Sequence, residues 1–242
     1  MFTLDGIVPW GRSFDEYRRM FALSEGDLRS SILGCADGPA SFNAEATRQG
    51  LRVVSCDPLY RFDADAIRAR IAAIFDEMVV QTRQNAGGFV WDETIPSVDA
   101  LGRLRASAME RFLDDYEAGR RAGRYVDAGL PSLPFADGQF DLAVCSHFLF
   151  LYAKQLTLEF HVAAARELAR VAREVRVFPL VALGGAPSAY VDPVAETMRR
   201  DGFDVAIDTV PYEFQRGANR MLRVTRRERP AGLSRSDGAR PR

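Results

Sequence analysis

Apolar positions along this chain switch repeatedly between helical and strand spacing, and that switching predicts the architecture. Phe14, Tyr17 and Phe21 recur at helical spacing behind Ser13 and Glu16, a Ser-x-x-Glu capping box that opens a short amphipathic helix. Ser31-Ile-Leu33 is a brief apolar run, read as a buried strand that enters a turn at Gly34. A helix over about 41–49 is closed by Gly50 at its C′ position, and a second strand follows over 51–56. The chain therefore opens with a β-α-β unit.

From Asp63, a candidate cap, Ile67, Ile71, Ile74, Phe75 and Met78 mark a helix that ends before Gly87-Gly88. A second helix starts near Ser97 and presents Leu101, Leu104, Ala108, Phe112 and Tyr116 on one face. Its other face carries Arg103, Arg105 and Arg111 among acids, read as a solvated, salt-bridged surface. A short strand over 124–126 runs into Asp127, and a turn-rich stretch over 133–140 leads into the β-rich run 141–145. A helix over about 157–172 and a strand over 175–178 follow. Asp192-Pro193 is read as a cap with proline at the first helical position, and that helix stops at Gly202. Strands over 203–209 and 220–224 have no helix between them, so they are expected to be antiparallel.

Strands alternating with helices imply one doubly wound, mostly parallel sheet, here a seven-stranded Rossmann-like sheet with an antiparallel C-terminal strand. Residues 1–226 are expected to form a single domain with a helical insertion at about 62–124, and the Arg/Pro/Gly/Ser mixture over 227–242 a disordered tail. Ligands of such sheets bind beyond the carboxyl ends of the strands. The turns after Leu33, Cys56, Val126 and Cys145 are thus the places to look.

Composition narrows the classes. The 242 residues are 47% hydrophobic and 27% charged, with a formal net charge of -1, so no global field draws the protein to nucleic acid or an anionic membrane. The basic residues are nearly all arginine, with Lys154 the single lysine, and they form no basic stripe interleaved with aromatics. No apolar run approaches a membrane span, and the first residues do not read as a signal peptide, so a cytoplasmic location is expected. Cys35, Cys56 and Cys145 lie scattered in apolar stretches without a C-x-x-C pair; they read as reduced core thiols, with no metal site implied.

Four features fall at the strand ends. Gly34-Cys35-Ala36-Asp37-Gly38 offers small residues that let the backbone turn tightly and approach a ligand. Asp57, followed by Pro58, stands where an acid accepts from ribose hydroxyls. Asp127, followed by Ala128, could accept from an adenine amino group, and Ser146-His147 ends the strand over 141–145.

On these residues the chain resembles the class I S-adenosylmethionine-dependent methyltransferases, over roughly 30–60 and 125–225. Gly34 and Gly38 match the family's glycine turn, while Ala36 replaces its middle glycine and Ile32 its leading acid, for which Asp37 is a substitute. Asp57 matches the ribose-binding acid. Asp127-Ala128, Leu133-Pro-Phe135 and Asp137-Gly-Gln-Phe-Asp141 are similar to the stretch that contacts adenine. The runs 34–60 and 146–152 look like an uncharacterised bacterial branch. The resemblance implies S-adenosylmethionine as cofactor, held by Gly34, Cys35, Ala36, Asp37, Gly38, Asp57, Pro58, Asp127, Ala128 and Ser146. It also implies a methyl acceptor, expected to be a small molecule.

His147 is the candidate base, against the alternative of a histidine bonded beneath the cofactor or packed in the core. His161 reads as structural. Tyr17 and Tyr152 are candidates for the acceptor pocket or the core, Trp10-Gly-Arg12 for a segment closing over the site, and the 62–124 insertion for acceptor selection. Two other functions stay open: a non-catalytic, S-adenosylmethionine-sensing regulator and a nicotinamide-dependent oxidoreductase. The second is disfavoured because G-x-A-x-G followed by Pro39-Ala40 departs from G-x-G-x-x-G.

Overall fold

The computed structural model describes residues 8–227. Ser13 and Glu16 form the expected reciprocal capping box at the start of α1 (Phe14–Met20). Ser24 and Asp27 form a second one at α2 (Glu25–Arg29), a helix too short to show a period in the sequence. β1 (Ser31–Cys35) runs one residue past Gly34 and is followed by α3 (Phe42–Arg48) and β2 (Arg52–Cys56). Between β2 and β3 (Tyr125–Val126) stand two long helices, α4 (Ala64–Gln84) and α5 (Val98–Arg121), capped by Asp63 and Ser97. β4 (Phe140–Ser146), α6 (Leu158–Val171), β5 (Ala172–Phe178), α7 (Val191–Arg200), β6 (Phe203–Thr209) and β7 (Arg220–Arg226) complete the order.

Among the described residues the seven strands make one sheet in the order β3-β2-β1-β4-β5-β7-β6. β7 pairs antiparallel with both β5 and β6, and the other pairs are parallel. The fold is the expected Rossmann-like sheet with its reversed last strand. Because strand side chains alternate, each strand feeds both faces. Ile32, Val53, Leu142 and Val144 pack with Phe14, Tyr17, Phe21 and Phe42 on one side. Leu33, Ala143, Cys145, Val175 and Val177 pack with residues of α6 and α7 on the other. The three cysteines are free and buried, and they lie in register, Cys35 opposite both Cys56 and Cys145.

Two expectations are corrected. Arg105 is not on a solvated face. It lies four residues after Leu101 and three before Ala108, hence on the buried stripe of α5, and is 1% exposed. Its Nη1 and Nη2 donate to both carboxylate oxygens of Glu16, at 2.6 and 2.7 Å, and Glu16 is as deeply buried. Asp192 does not cap α7, which starts one residue earlier with Tyr190 at the cap; Pro193 is third in the helix. Proline is tolerated there because the N–H groups of the first turn have no partner within the helix. The tail expected over 227–242 lies outside the described residues, apart from Arg227, which pairs with Asp204. No helix among the described residues is long and apolar enough to cross a membrane.

Burial alone would push the Glu16 carboxyl up, but the charge and hydrogen bonds of Arg105 outweigh it and hold the group at about 2. Its contribution to stability is therefore complete above the carboxyl range of an unfolded chain and is lost as pH falls through that value. Arg105→Met, which leaves Glu16 buried and unpaired, is expected to cost about 3–5 kcal/mol at pH 7. The deficit should shrink toward pH 4 as the orphaned carboxyl takes a proton. Urea unfolding at the two pH values measures this, and a loss under 1 kcal/mol would show that the pair contributes little.

Candidate active site at the carboxyl ends of the strands

A cavity of about 720 Å³ opens over the ends of β1, β2 and β4. Its floor is set by the turn after β1. Asp37 folds back over Gly34, where a Cβ would lie 1.9 Å from Asp37 Oδ2, so the second residue of this turn's chemistry requires the first to be glycine. The carboxylate accepts from the Tyr17 hydroxyl at 2.8 Å and from Ser55 Oγ at 2.6 Å. Burial pushes Asp37 up to about 7 against these two bonds, which favour its charged form, and the charge of Asp57 raises it further.

Asp57 joins the two turns. Its Oδ2 accepts from the Gly38 N–H at 2.9 Å and its Oδ1 from the Leu59 N–H at 2.7 Å, while the Tyr60 hydroxyl donates to the Gly38 carbonyl at 2.7 Å. Burial raises the Asp57 carboxyl despite those backbone bonds. Ala36 and Gly38 both adopt positive φ, 56° and 52°, and His147 at the end of β4 does too, at 53°. Two non-glycine residues held in the left-handed region on adjacent strand ends mark a locally strained rim.

Ser146 and His147 line the cavity, with His147 Nδ1 2.9 Å from Ser146 Oγ and the His147 N–H donating to the Phe178 carbonyl at 2.7 Å. Burial, followed by the charges of Arg12 and Arg105, holds the His147 imidazole well below the usual histidine range, so it is neutral. His161 lies inside the core, where one ring nitrogen accepts from the Phe150 N–H at 3.0 Å and the other meets the Thr157 carbonyl at 2.7 Å.

The structure brings together Ala36, Asp37, Gly38, Asp57, Pro58, Ser146 and His147, with Gly34 directly beneath Asp37. Cys35 is buried below the turn. Asp127 and Ala128 do not line the cavity; the Asp127 side chain is 48% exposed, 3.8 Å from Arg61 Nε, and Gly129 and Leu130 take the place at the wall. Among the described residues no cluster of His, Cys, Asp and Glu is placed to hold a metal ion.

The remaining walls come from segments remote in sequence. Trp10 and Arg12 line one side, and Phe62, Ile74, Met78 and Leu101 of the α4–α5 region another. The tip between these helices is fastened to the β6–β7 connection. Val90 N–H donates to the Phe214 carbonyl at 2.8 Å and Arg216 N–H to the Gly88 carbonyl at 2.9 Å. Phe214 stacks on Phe89 at 4.8 Å and meets Trp91 edge-on at 5.6 Å. Sequence reasoning missed Phe214, Gln215 and Ala218, since nothing local in that connection signals a partner more than 120 residues away.

No family model matches the chain. The uncharacterized protein MJ0045 of Methanocaldococcus jannaschii is 32% identical over 225 residues, covering 93% of this chain and 98% of that protein. The chain belongs to the family of that archaeal protein. Since this relative of the family is archaeal, the comparison lends no support to a specifically bacterial branch. Among solved structures, magnesium protoporphyrin IX methyltransferase from Synechocystis PCC 6803 with bound SAH is similar with a TM-score of 0.46 and 13% identity, over 88% of this chain and 94% of that one. A Burkholderia thailandensis 1,6-didemethyltoxoflavin-N1-methyltransferase gives 0.43 and 11%, over 82% and 72%. No residue role in this family follows from either likeness.

Asp37→Asn tests the electrostatics of the floor. Between the ordinary aspartate value of 3.8 and about 7 the folded chain holds a proton that the unfolded chain has released. Wild-type stability therefore falls as pH rises through that window. The amide variant lacks this term, so the variant's stability relative to wild type should improve by a few kcal/mol between pH 4 and pH 8 in urea unfolding. Parallel pH profiles would show that Asp37 is ionised in the fold at ordinary pH.

Proposed function

We propose that this chain is an S-adenosylmethionine-dependent methyltransferase acting on a small-molecule acceptor. The observation that carries the reading is the joining of the glycine turn to Asp57 at one end of a single cavity. It lies where the strand order reverses between β1 and β4, which is where doubly wound sheets bind nucleotide ligands.

The residues present fit such a cofactor. A Cβ at Gly38 would meet nothing within 4 Å, so the turn is open above. Each Asp57 oxygen accepts one N–H and keeps capacity for a hydroxyl. Pro58, Leu59 and Leu130 provide apolar surface for an adenine beside it. When bound, the cofactor supplies an electrophilic methyl group for in-line displacement. The chain's own part is to hold the nucleophile in line and exclude water, which contributes roughly 7–11 kcal/mol in well-oriented reactions.

His147 faces the cavity as a neutral imidazole and is the group to take a proton where the acceptor must lose one. The charges that disfavour its protonation make it a weak base, suited to an acceptor whose proton is already acidic. The α4–α5 region, which supplies the wall opposite the glycine turn, selects the acceptor. That second, largely apolar half of the cavity favours an enzyme over a pure cofactor sensor, since a sensor needs space for one ligand only.

Thermal unfolding with S-adenosylmethionine, S-adenosylhomocysteine, NAD or no addition tests the reading. At 100 times the dissociation constant an adenosyl ligand stabilises by about 2.7 kcal/mol, an upward shift on the order of 5–10 °C. Asp57→Ala should remain folded and lose the shift. No shift with either adenosyl compound at millimolar concentration would sink the assignment, and a shift with NAD alone would replace it by an oxidoreductase.

A further inference from the structure

Arg12 lies in the cavity wall with its charge unanswered. Its backbone is fixed: the carbonyl accepts from the Ser41 N–H at 3.0 Å, and the preceding Gly11 packs so closely on Pro39 that a Cβ there would lie 2.0 Å from the Pro39 carbonyl oxygen. Nη1 donates to the Trp10 carbonyl at 2.7 Å, but Nε is buried and has no partner. The nearby carboxylate cannot serve. Glu16 already takes both Nη groups of Arg105, the Ser13 N–H at 2.9 Å and the Tyr212 hydroxyl at 2.8 Å.

Burial, with the charge of Arg105 adding to it, brings the Arg12 guanidinium down to about 10, the direction expected of a cation without a matching anion. A buried donor left unpaired is costly, and a guanidinium fork matches a carboxylate in two parallel bonds. The other cations of the wall are differently placed: Arg70 lies over the Phe62 ring at 3.8 Å, and Arg61 stands near Asp127. Tyr152 and His147 share the Arg12 region, and the surface beyond them is apolar.

We propose that Arg12 is a carboxylate-binding site within the cavity, so that the molecule seated against it is an acid with an otherwise apolar body. Which molecule this is rests on the methyltransferase reading. The carboxylate belongs to the methyl acceptor, placed beside His147, or to the amino-acid tail of the cofactor.

Two matched ligand pairs in isothermal titration separate these sources. Benzoate against benzamide, measured with S-adenosylhomocysteine present and without it, reads the acceptor side. S-adenosylhomocysteine against methylthioadenosine, which lacks the amino-acid tail, reads the cofactor side. In wild type the carboxylate member of the responding pair binds more tightly. Arg12→Gln should weaken that member by roughly ten- to hundredfold and leave its neutral counterpart unchanged. Arg12→Lys, which keeps the charge but not the fork, should retain part of the preference and serves as the folding control. Loss confined to the benzoate pair assigns an acidic acceptor, and loss confined to the adenosyl pair assigns the cofactor tail. If both preferences survive Arg12→Gln, or wild type shows neither, the proposal is overturned. If wild type binds no adenosyl compound, the methyltransferase reading falls by itself, while the benzoate pair still decides whether Arg12 holds a carboxylate.

Discussion

The buried pair of Glu16 and Arg105 fixes where the parts of the cavity stand. Glu16 belongs to the first helix and Arg105 to α5, between β2 and β3, and the Tyr212 hydroxyl brings the segment after β6 to the same carboxylate. Three stretches far apart in sequence meet at one group. Such a pair is not in itself a strong source of stability, because taking two charges out of water offsets most of their attraction. Its effect is specificity of arrangement. Any packing that separates the partners leaves a charge in the core, so only the arrangement that closes the cavity keeps both satisfied.

That constraint also shapes the chemistry. With Glu16 fully engaged by Arg105, one positive charge is left over at Arg12 beside the cavity, and after burial the two guanidinium groups help to keep His147 neutral. On the other side of Tyr17 the balance is reversed. Burial raises both Asp37 and Asp57, and the charge of Asp57 raises Asp37 further, with Tyr17 and Ser55 bonded to the first and backbone N–H groups to the second. The cavity thus has an acidic end over the glycine turn and a basic one near Arg12.

Much of the sheet was legible in the sequence. Alternation and capping signals located the helices begun by Ser13, Asp63, Ser97 and Thr157, because such signals act over four or five residues. The positions of the acid after β2 and of the glycine turn at the cavity were legible because doubly wound sheets open a crevice at the carboxyl ends of their parallel strands. What was not legible depended on distance. Arg105 is chemically an exposed residue until Glu16 is placed against it, and its helical position was outweighed by its charge. The β3 end illustrates the same limit: Asp127 follows its strand as expected, yet the chain turns so that Gly129 and Leu130 reach the wall instead. Phe214 and Gln215 belong to a connection with no periodicity, and their partners lie in the α4–α5 tip.

The fastening of that tip bears on how the molecule comes into being. Residues 8–178 contain five parallel strands, the glycine turn, Asp57, His147 and both long helices. The groups that tie the tip down, from Tyr212 to Arg216, emerge from the ribosome among the last of the described residues. Domains are built from the N-terminus as the chain is synthesised. A nascent chain can therefore assemble the floor of the cavity well before it has the means to close the roof, and for that interval Glu16 and the apolar wall await their final partner. Completion of the site is in this sense a late event, waiting on the connection between β6 and β7.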